Sequence, residues 1–227
     1  MPRMAYPWLE GPTPSRRHLA KDTLEDVSEF ELRTRRLVLR EWRERDRAPF
    51  AEMNADPTVM KFFPTMLDAA ASDALIERFK DEIARVGFCP WAVETMHASV
   101  FIGFVGLHEV PSELPFSPAI EIGWRLARPF WGNGYATEAG VAALDFGFGF
   151  IGLEEIVSFT SAVNLRSQRV MMRLGMTRDP LEDFDHPGVA ENHLLRPHVL
   201  FRVRSGNAPS PAGNVGPRSV ARKPAPR

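Results

Sequence analysis

Apolar and polar positions alternate over Arg36-Leu-Val-Leu-Arg40, the pattern of a strand with one buried face. Asp46 then stands where a cap is expected for a helix running toward Asn54. From Leu67 to Val86 the apolar residues Ala70, Ala74, Leu75, Ile83 and Val86 recur at helical spacing, with Asp68 as the cap. Cys89–Glu94 and Val100–His108 are rich in strand-forming residues and separated by the short break His97-Ala-Ser99, which predicts a hairpin. A further strand is expected over Ala119–Leu126 and a helix over Ala136–Phe150, Gly- and Phe-rich toward its end. A strand at Ile156–Thr160 and a helix at Leu165–Leu174 follow, the latter ended by Gly175. Met176-Thr177 opens another strand and Pro197–Val203 alternates as the last one. The order β-α-α-β-β-β-α-β-α-β-β fits an α+β (mixed α/β) domain, with a central mixed sheet and helices on both faces. No internal repeat is present.

The ends break this pattern. Residues 1–28 carry Pro2, Pro7, Pro12 and Pro14 with mixed charges and no period, and are expected to be an irregular or disordered leader. Residues 205–227 hold Pro209, Pro211, Pro217, Pro224 and Pro226 and four basic side chains with no acid, the composition of a disordered basic tail. The domain is therefore expected over residues 29–204. Composition changes little: 44% hydrophobic and 25% charged residues are ordinary for a globular chain. A net charge of −1 argues against a nucleic-acid partner. The single cysteine, Cys89, allows no internal disulfide. No apolar run nears the ~20 residues that span a bilayer, so no membrane role and a cytoplasmic location are expected. Monomer and homodimer both remain open.

The candidate chemistry starts at Trp131-Gly132-Asn133-Gly134-Tyr135-Ala136-Thr137, where a strand ending at Leu126 runs through a Gly-x-Gly turn into a helix. Such a junction aims free backbone N–H groups and the positive end of a helix at one point, which attracts phosphate. Glycine carries no Cβ and lets a ligand approach the backbone closely. Taken alone, a Gly-x-Gly turn reads first as a plain strand–helix connection.

Three pieces, Leu32-Arg-Thr-Arg-Arg-Leu-Val-Leu-Arg40, Trp131–Ala139 and Asn164-Leu-Arg-Ser167 followed by Met172-Arg-Leu-Gly-Met176, occur in order at fitting spacing. Together they resemble the GCN5-related N-acetyltransferase (GNAT) superfamily over about residues 32–203, and within it the branch that acetylates the N-termini of ribosomal proteins. The resemblance implies a single domain whose sheet is mostly antiparallel. It implies acetyl-CoA as co-substrate, with the pyrophosphate on the Gly132–Thr137 turn. The pantetheine arm would lie along Ile122–Leu126, where that strand splays from Ile156–Thr160. Cofactor contacts are thus expected from Leu126, Trp131, Gly132, Asn133, Gly134, Tyr135, Ala136, Thr137 and Asn164. One departure is visible: the family opens the turn with Gln or Arg three residues before the first glycine, and here that residue is Pro129, with Arg128 one place early.

Asn164 and Ser167 suit the start of a helix as caps. The resemblance places Asn164 on the pantetheine and Ser167 beside the departing sulfur, where a hydroxyl can supply a proton. An attacking amine must lose its proton, and two bases compete: Glu121, on the strand entering the turn, and the Asp185–His186 pair. The acceptor, a peptide N-terminus or a small-molecule amine, is not specified by the sequence. Phe62-Phe63-Pro64 sits between two helices, where acceptor loops of this family occur. His186, His193 and His198 match no familiar ligand spacing, so no metal is expected. A non-catalytic acyl-CoA-binding sensor is the alternative reading. A nucleotide-binding domain of parallel βαβ repeats fits less well, because Cys89–Leu126 reads as a meander.

Overall fold

The computed structural model describes residues 30–209 and 217–219. In chain order the elements are β1 (Phe30–Arg33), β2 (Leu37–Arg40), α1 (Arg47–Ala55), α2 (Ala69–Val86), β3 (Pro90–Thr95), β4 (Phe101–Glu109), β5 (Ile120–Leu126) and α3 (Tyr135–Asp145). Then come β6 (Glu155–Ser161), α4 (Leu165–Arg173), β7 (Thr177–Arg178), β8 (Phe184–Asp185), β9 (Pro197–Arg204) and β10 (Pro217–Ser219). The strands form one sheet in the order β10-β1-β2-β3-β4-β5-β6-β9-β7, with β8 also on β9. Every pairing is antiparallel except β5 with β6. The architecture is thus the α+β domain with a mixed sheet that the pattern predicts, and the sheet is mostly antiparallel, as the resemblance implies.

Alternation along β3 and β4 builds two cores, one on each face. Ala92 and Phe104 face Trp42, Phe50 and Met53 together with Leu75, Ile76 and Phe79 of α2. Trp91, Val93, Val105 and Leu107 face Ala139, Ala143 and Leu144 of α3 and Met171 of α4. Burial of each large side chain contributes roughly 1.5–3 kcal/mol, so the alternation fixes the register of the central strands. Asp68 caps α2 by accepting from the Ala71 N–H at 2.7 Å, and Gly87 ends that helix at φ 83°.

Several details differ from the sequence pattern. The first paired strand is β1, before Arg36, because Thr34 and its neighbours form a tight turn between two short strands. Asp46 precedes α1 but does not cap it through its side chain. Its fully buried carboxylate instead takes two hydrogen bonds from Arg40, at 2.7 and 2.9 Å, and one from the Arg43 N–H. Glu94 of β3 accepts from the same guanidinium. The third helix keeps α geometry only to Asp145 and widens into π turns over Phe146–Ile151. Leader residues 1–28 lie outside the described residues. Within the basic tail, Pro217–Ser219 pairs with β1 at the sheet edge.

Candidate functional site

The sheet opens where β5 meets β6. Those strands share one bridge, Glu121↔Val157, whereas β4–β5 and β6–β9 are paired along their lengths. The Ser158 hydroxyl donates to the Ile122 carbonyl at 2.9 Å just beyond the bridge. From Gly123 onward β5 follows β4 and leaves β6, producing the splay that the resemblance implied. A cleft of about 2780 Å³ runs through the opening, and all of the expected site residues line it, from Glu121 and Leu126 through the Trp131–Thr137 turn to Asn164, Ser167 and His186.

The turn at one end of the cleft is built by local chemistry. Gly132 and Gly134 have φ of 79° and 78°, in the left-handed region that disfavours any Cβ. A Cβ on Gly132 would meet nothing within 4 Å, so the turn presents open backbone to the cleft. The Trp131 indole N–H donates to the Leu126 carbonyl at 2.7 Å and ties the end of β5 to the turn. The Asn133 amide donates to the Phe130 and Trp131 carbonyls. Glu138, in the first turn of α3, accepts from the Thr34 hydroxyl at 2.6 Å and from the backbone and side chain of Arg36 at 2.9 and 2.6 Å. These bonds overcome the cost of burial and hold the Glu138 carboxyl below the usual carboxylate range. Arg36 continues to the Asn133 carbonyl at 3.0 Å and lies over the Tyr135 ring. The mouth beside the turn is basic: Arg128 and Arg166 line it, and Arg166 stacks on Trp131.

Asn164 begins α4 by accepting from the Ser167 N–H, and its own amide donates to the Thr160 hydroxyl at 3.0 Å. The Trp124 indole donates to the Ser167 hydroxyl at 3.1 Å. Trp124 and Ser167 therefore meet on the α4 side of the sheet.

The two candidate bases lie on the opposite face. Glu121, 7% exposed, sits 3.2 Å from His108 Nε2 across the β4–β5 ladder. Burial alone would lower the His108 pKa. The Glu121 carboxylate, with Glu82 of α2 behind it, reverses that and raises it to about 9. Burial in turn raises the Glu82 carboxyl. His186, 6% exposed, packs against His198 at 4.8 Å between ring centroids, beside Phe159 and Phe184. Burial, then the neighbouring His198, lowers its pKa to about 4. Its Nδ1 accepts from the Gly188 N–H at 3.1 Å. Asp185 is paired with Arg196 rather than with His186.

Sequence reasoning missed His108 and Glu82. The signal was present in part: once Cys89–His108 is a hairpin and Ala119–Leu126 follows, His108 falls opposite Glu121. Cys89 is 1% exposed just before β3, and burial raises its thiol pKa well above the ordinary value. No group of three His, Cys, Asp or Glu among the described residues is arranged to hold a metal ion. No helix among them is long and apolar enough to cross a membrane.

Comparison with known proteins agrees with this geometry. Residues 36–177 match the family described as the acetyltransferase (GNAT) domain. YkkB of Bacillus subtilis, an uncharacterized protein, is 31% identical over 144 residues, 63% of this chain and 83% of its own. YnaD of the same organism, named an uncharacterized N-acetyltransferase, is 29% identical over 147 residues, 64% of this chain and 82% of its own. Among solved structures, a GNAT-family acetyltransferase from Bacillus anthracis superposes with a TM-score of 0.65 at 21% identity, covering 78% of this chain and 99% of that one. A spermidine N-acetyltransferase from Vibrio cholerae, solved with CoA and spermine, gives 0.59 at 18% identity over 75% and 96%. The match spans most of the sheet, the glycine turn and the helix that carries Asn164 and Ser167, and the chain belongs to the GNAT family of acetyl-CoA-dependent acetyltransferases.

Proposed function

We propose that the chain moves an acetyl group from acetyl-CoA to a primary amine by direct attack while both substrates are bound. One observation carries the reading: the seam between β5 and β6 opens at one end onto the glycine turn and has a buried carboxylate on one face and a hydroxyl on the other. The free edge of β5 supports backbone pairing with the pantetheine arm. Leu126, the Trp131–Thr137 turn and Asn164 are the proposed contacts. Acetyl-CoA supplies an activated acyl group, and the residues of the chain supply position and proton transfer.

Glu121 is the proposed base. Its carboxylate stands at the β5–β6 bridge, and His108 Nε2, 3.2 Å away, fixes its position for taking a proton from the attacking nitrogen. His186 is less suited. With Nδ1 accepting from Gly188, its neutral form carries the proton on Nε2, where a base needs a lone pair. The C–N bond forms as the C–S bond breaks, the nitrogen proton passes to Glu121, and the Ser167 hydroxyl donates to the leaving sulfur. Trp124 supports that last role, since it donates to the Ser167 oxygen and leaves the hydroxyl proton available. The acceptor is a peptide N-terminus, as in the ribosomal-protein branch, or a small-molecule amine.

The test is thiol release from acetyl-CoA in the presence of an amine panel, with calorimetry of acetyl-CoA binding alongside. Amine-dependent release supports the enzyme. Tight binding without release to any amine supports the sensor module instead.

A further inference from the structure

The acceptor side of the cleft is electrically divided, and the division points to a class of acceptor. Residues 121, 123 and 125 of β5 share the face covered by α2. Helix α2 runs over them in the opposite sense. Near its start, Ser72 bonds Asn54, and Asn54 accepts from Arg125 at 2.6 Å. Near its end, Glu82 accepts from the Glu109 N–H beside His108 and Glu121. Between the two ends β5 offers Gly123, where a Cβ would meet His108 at 3.6 Å and Glu121 at 4.0 Å. Arg78 of α2 lines this stretch of the cleft. Its Nη1 is buried and has no hydrogen-bond partner among the described residues. The Arg125 guanidinium carbon lies over the Phe63 ring, 4.1 Å from its centroid, Phe63 being on the loop between α1 and α2.

A buried cationic nitrogen without a partner carries a desolvation cost, and an anionic ligand that accepts from it recovers that cost. Glu121, which takes the amine proton, lies at the other end of the same face. We propose that Arg78, beside Gly123, with Arg125 farther along the same face, forms an anion subsite and that the acceptor is an amino-carboxylate, its amine toward Glu121 and its carboxylate toward Arg78. The planar forks of the two arginines suit a carboxylate, and Phe63 gives the ligand an apolar wall. This deepens the acetyltransferase reading and rests on it. The Arg78 pKa agrees: burial pulls it down, with only Glu82 acting against that through space.

Three matched sets test the idea: ω-amino acids, their carboxamides, and simple alkylamines and spermidine, with rates corrected for the fraction of neutral amine. Thiol release is expected to favour the amino acids over the carboxamides by about 10- to 100-fold in kcat/KM. In Arg78→Gln that ratio should collapse toward unity, mainly through KM, and Arg78→Lys should restore part of it. Far-UV circular dichroism and acetyl-CoA calorimetry confirm that the variants fold and load. Equal or better use of carboxamides or spermidine by the unaltered protein overturns the subsite and leaves the acetyltransferase reading standing. An Arg78→Gln variant that keeps the full acid preference overturns it as well. Release to no amine, with acetyl-CoA bound, overturns both readings.

Discussion

Ser167 and Glu121 occupy opposite faces of the same opening, and each is held in place by a neighbour. For Ser167 the neighbour is Trp124, which fixes the hydroxyl oxygen. Replacing Ser167 by Ala should lower kcat by about 10- to 100-fold, a loss of about 1.5–3 kcal/mol, with acetyl-CoA affinity nearly unchanged. Calorimetry and steady-state rates on one preparation check both halves. For Glu121 the neighbour is His108. Glu121→Gln should cost most near neutral pH, and the cost should shrink as pH rises and the amine deprotonates unaided. A loss that is the same at every pH would assign Glu121 to packing. His186→Ala should show no such pH-dependent loss. At the turn, Gly134→Val places a β-branched residue at φ 78° and a Cβ 3.6 Å from the Arg36 guanidinium, so acetyl-CoA affinity should fall at least tenfold by calorimetry. Glu121, Ser167 and the glycines were legible because each sits next to a local pattern: a strand entering a turn, or a cap on a helix. The places of His108, Glu82 and Arg78 in the cleft were not, because they come from register across β4–β5 and from how α2 crosses the sheet. Those relations have no signature within a short window of sequence.

Elements were read more easily than their joints. The helix at Leu67–Val86 emerged from its period and its Asp68 cap, and the hairpin from two strand runs around a polar break; the structure places α2, β3 and β4 there. Asp46 shows the limit. A carboxylate before a helix reads as a cap, yet here it is drawn into the core by Arg40, which also binds Glu94. That network links β2, the entry to α1 and β3. Breaking a buried ion pair leaves the partner charges uncompensated. Arg40→Ala should therefore destabilise the fold by about 3–5 kcal/mol in denaturant titration. The widened turns at Phe146–Ile151 were equally hidden. Gly147 lets Ile156 and Leu107 press against the helix there, and a helical period alone does not reveal which turn will yield to tertiary packing.

Across the molecule, His108, His186 and His198 set opposing pH limits. The His108 pKa is raised from 6.5 to about 9, so its contribution is complete below pH 6.5 and is lost as pH climbs through 9. That contribution is on the order of 3 kcal/mol. The His186 pKa is lowered to about 4 and that of His198 is also lowered, so their neutral packing is complete above pH 6.5 and is lost toward 4. Melting temperature should therefore peak near pH 6.5, and His108→Gln should flatten the alkaline side selectively. The single Glu121↔Val157 bridge has a consequence of another kind. A sheet normally has raw edges only at its flanks, whereas this one has two more inside, the inner margins of β5 and β6. Amide groups there that face the opening should exchange with solvent quickly in the empty protein. An extended ligand lying between them would act as a missing strand, joining two half-sheets that otherwise breathe apart.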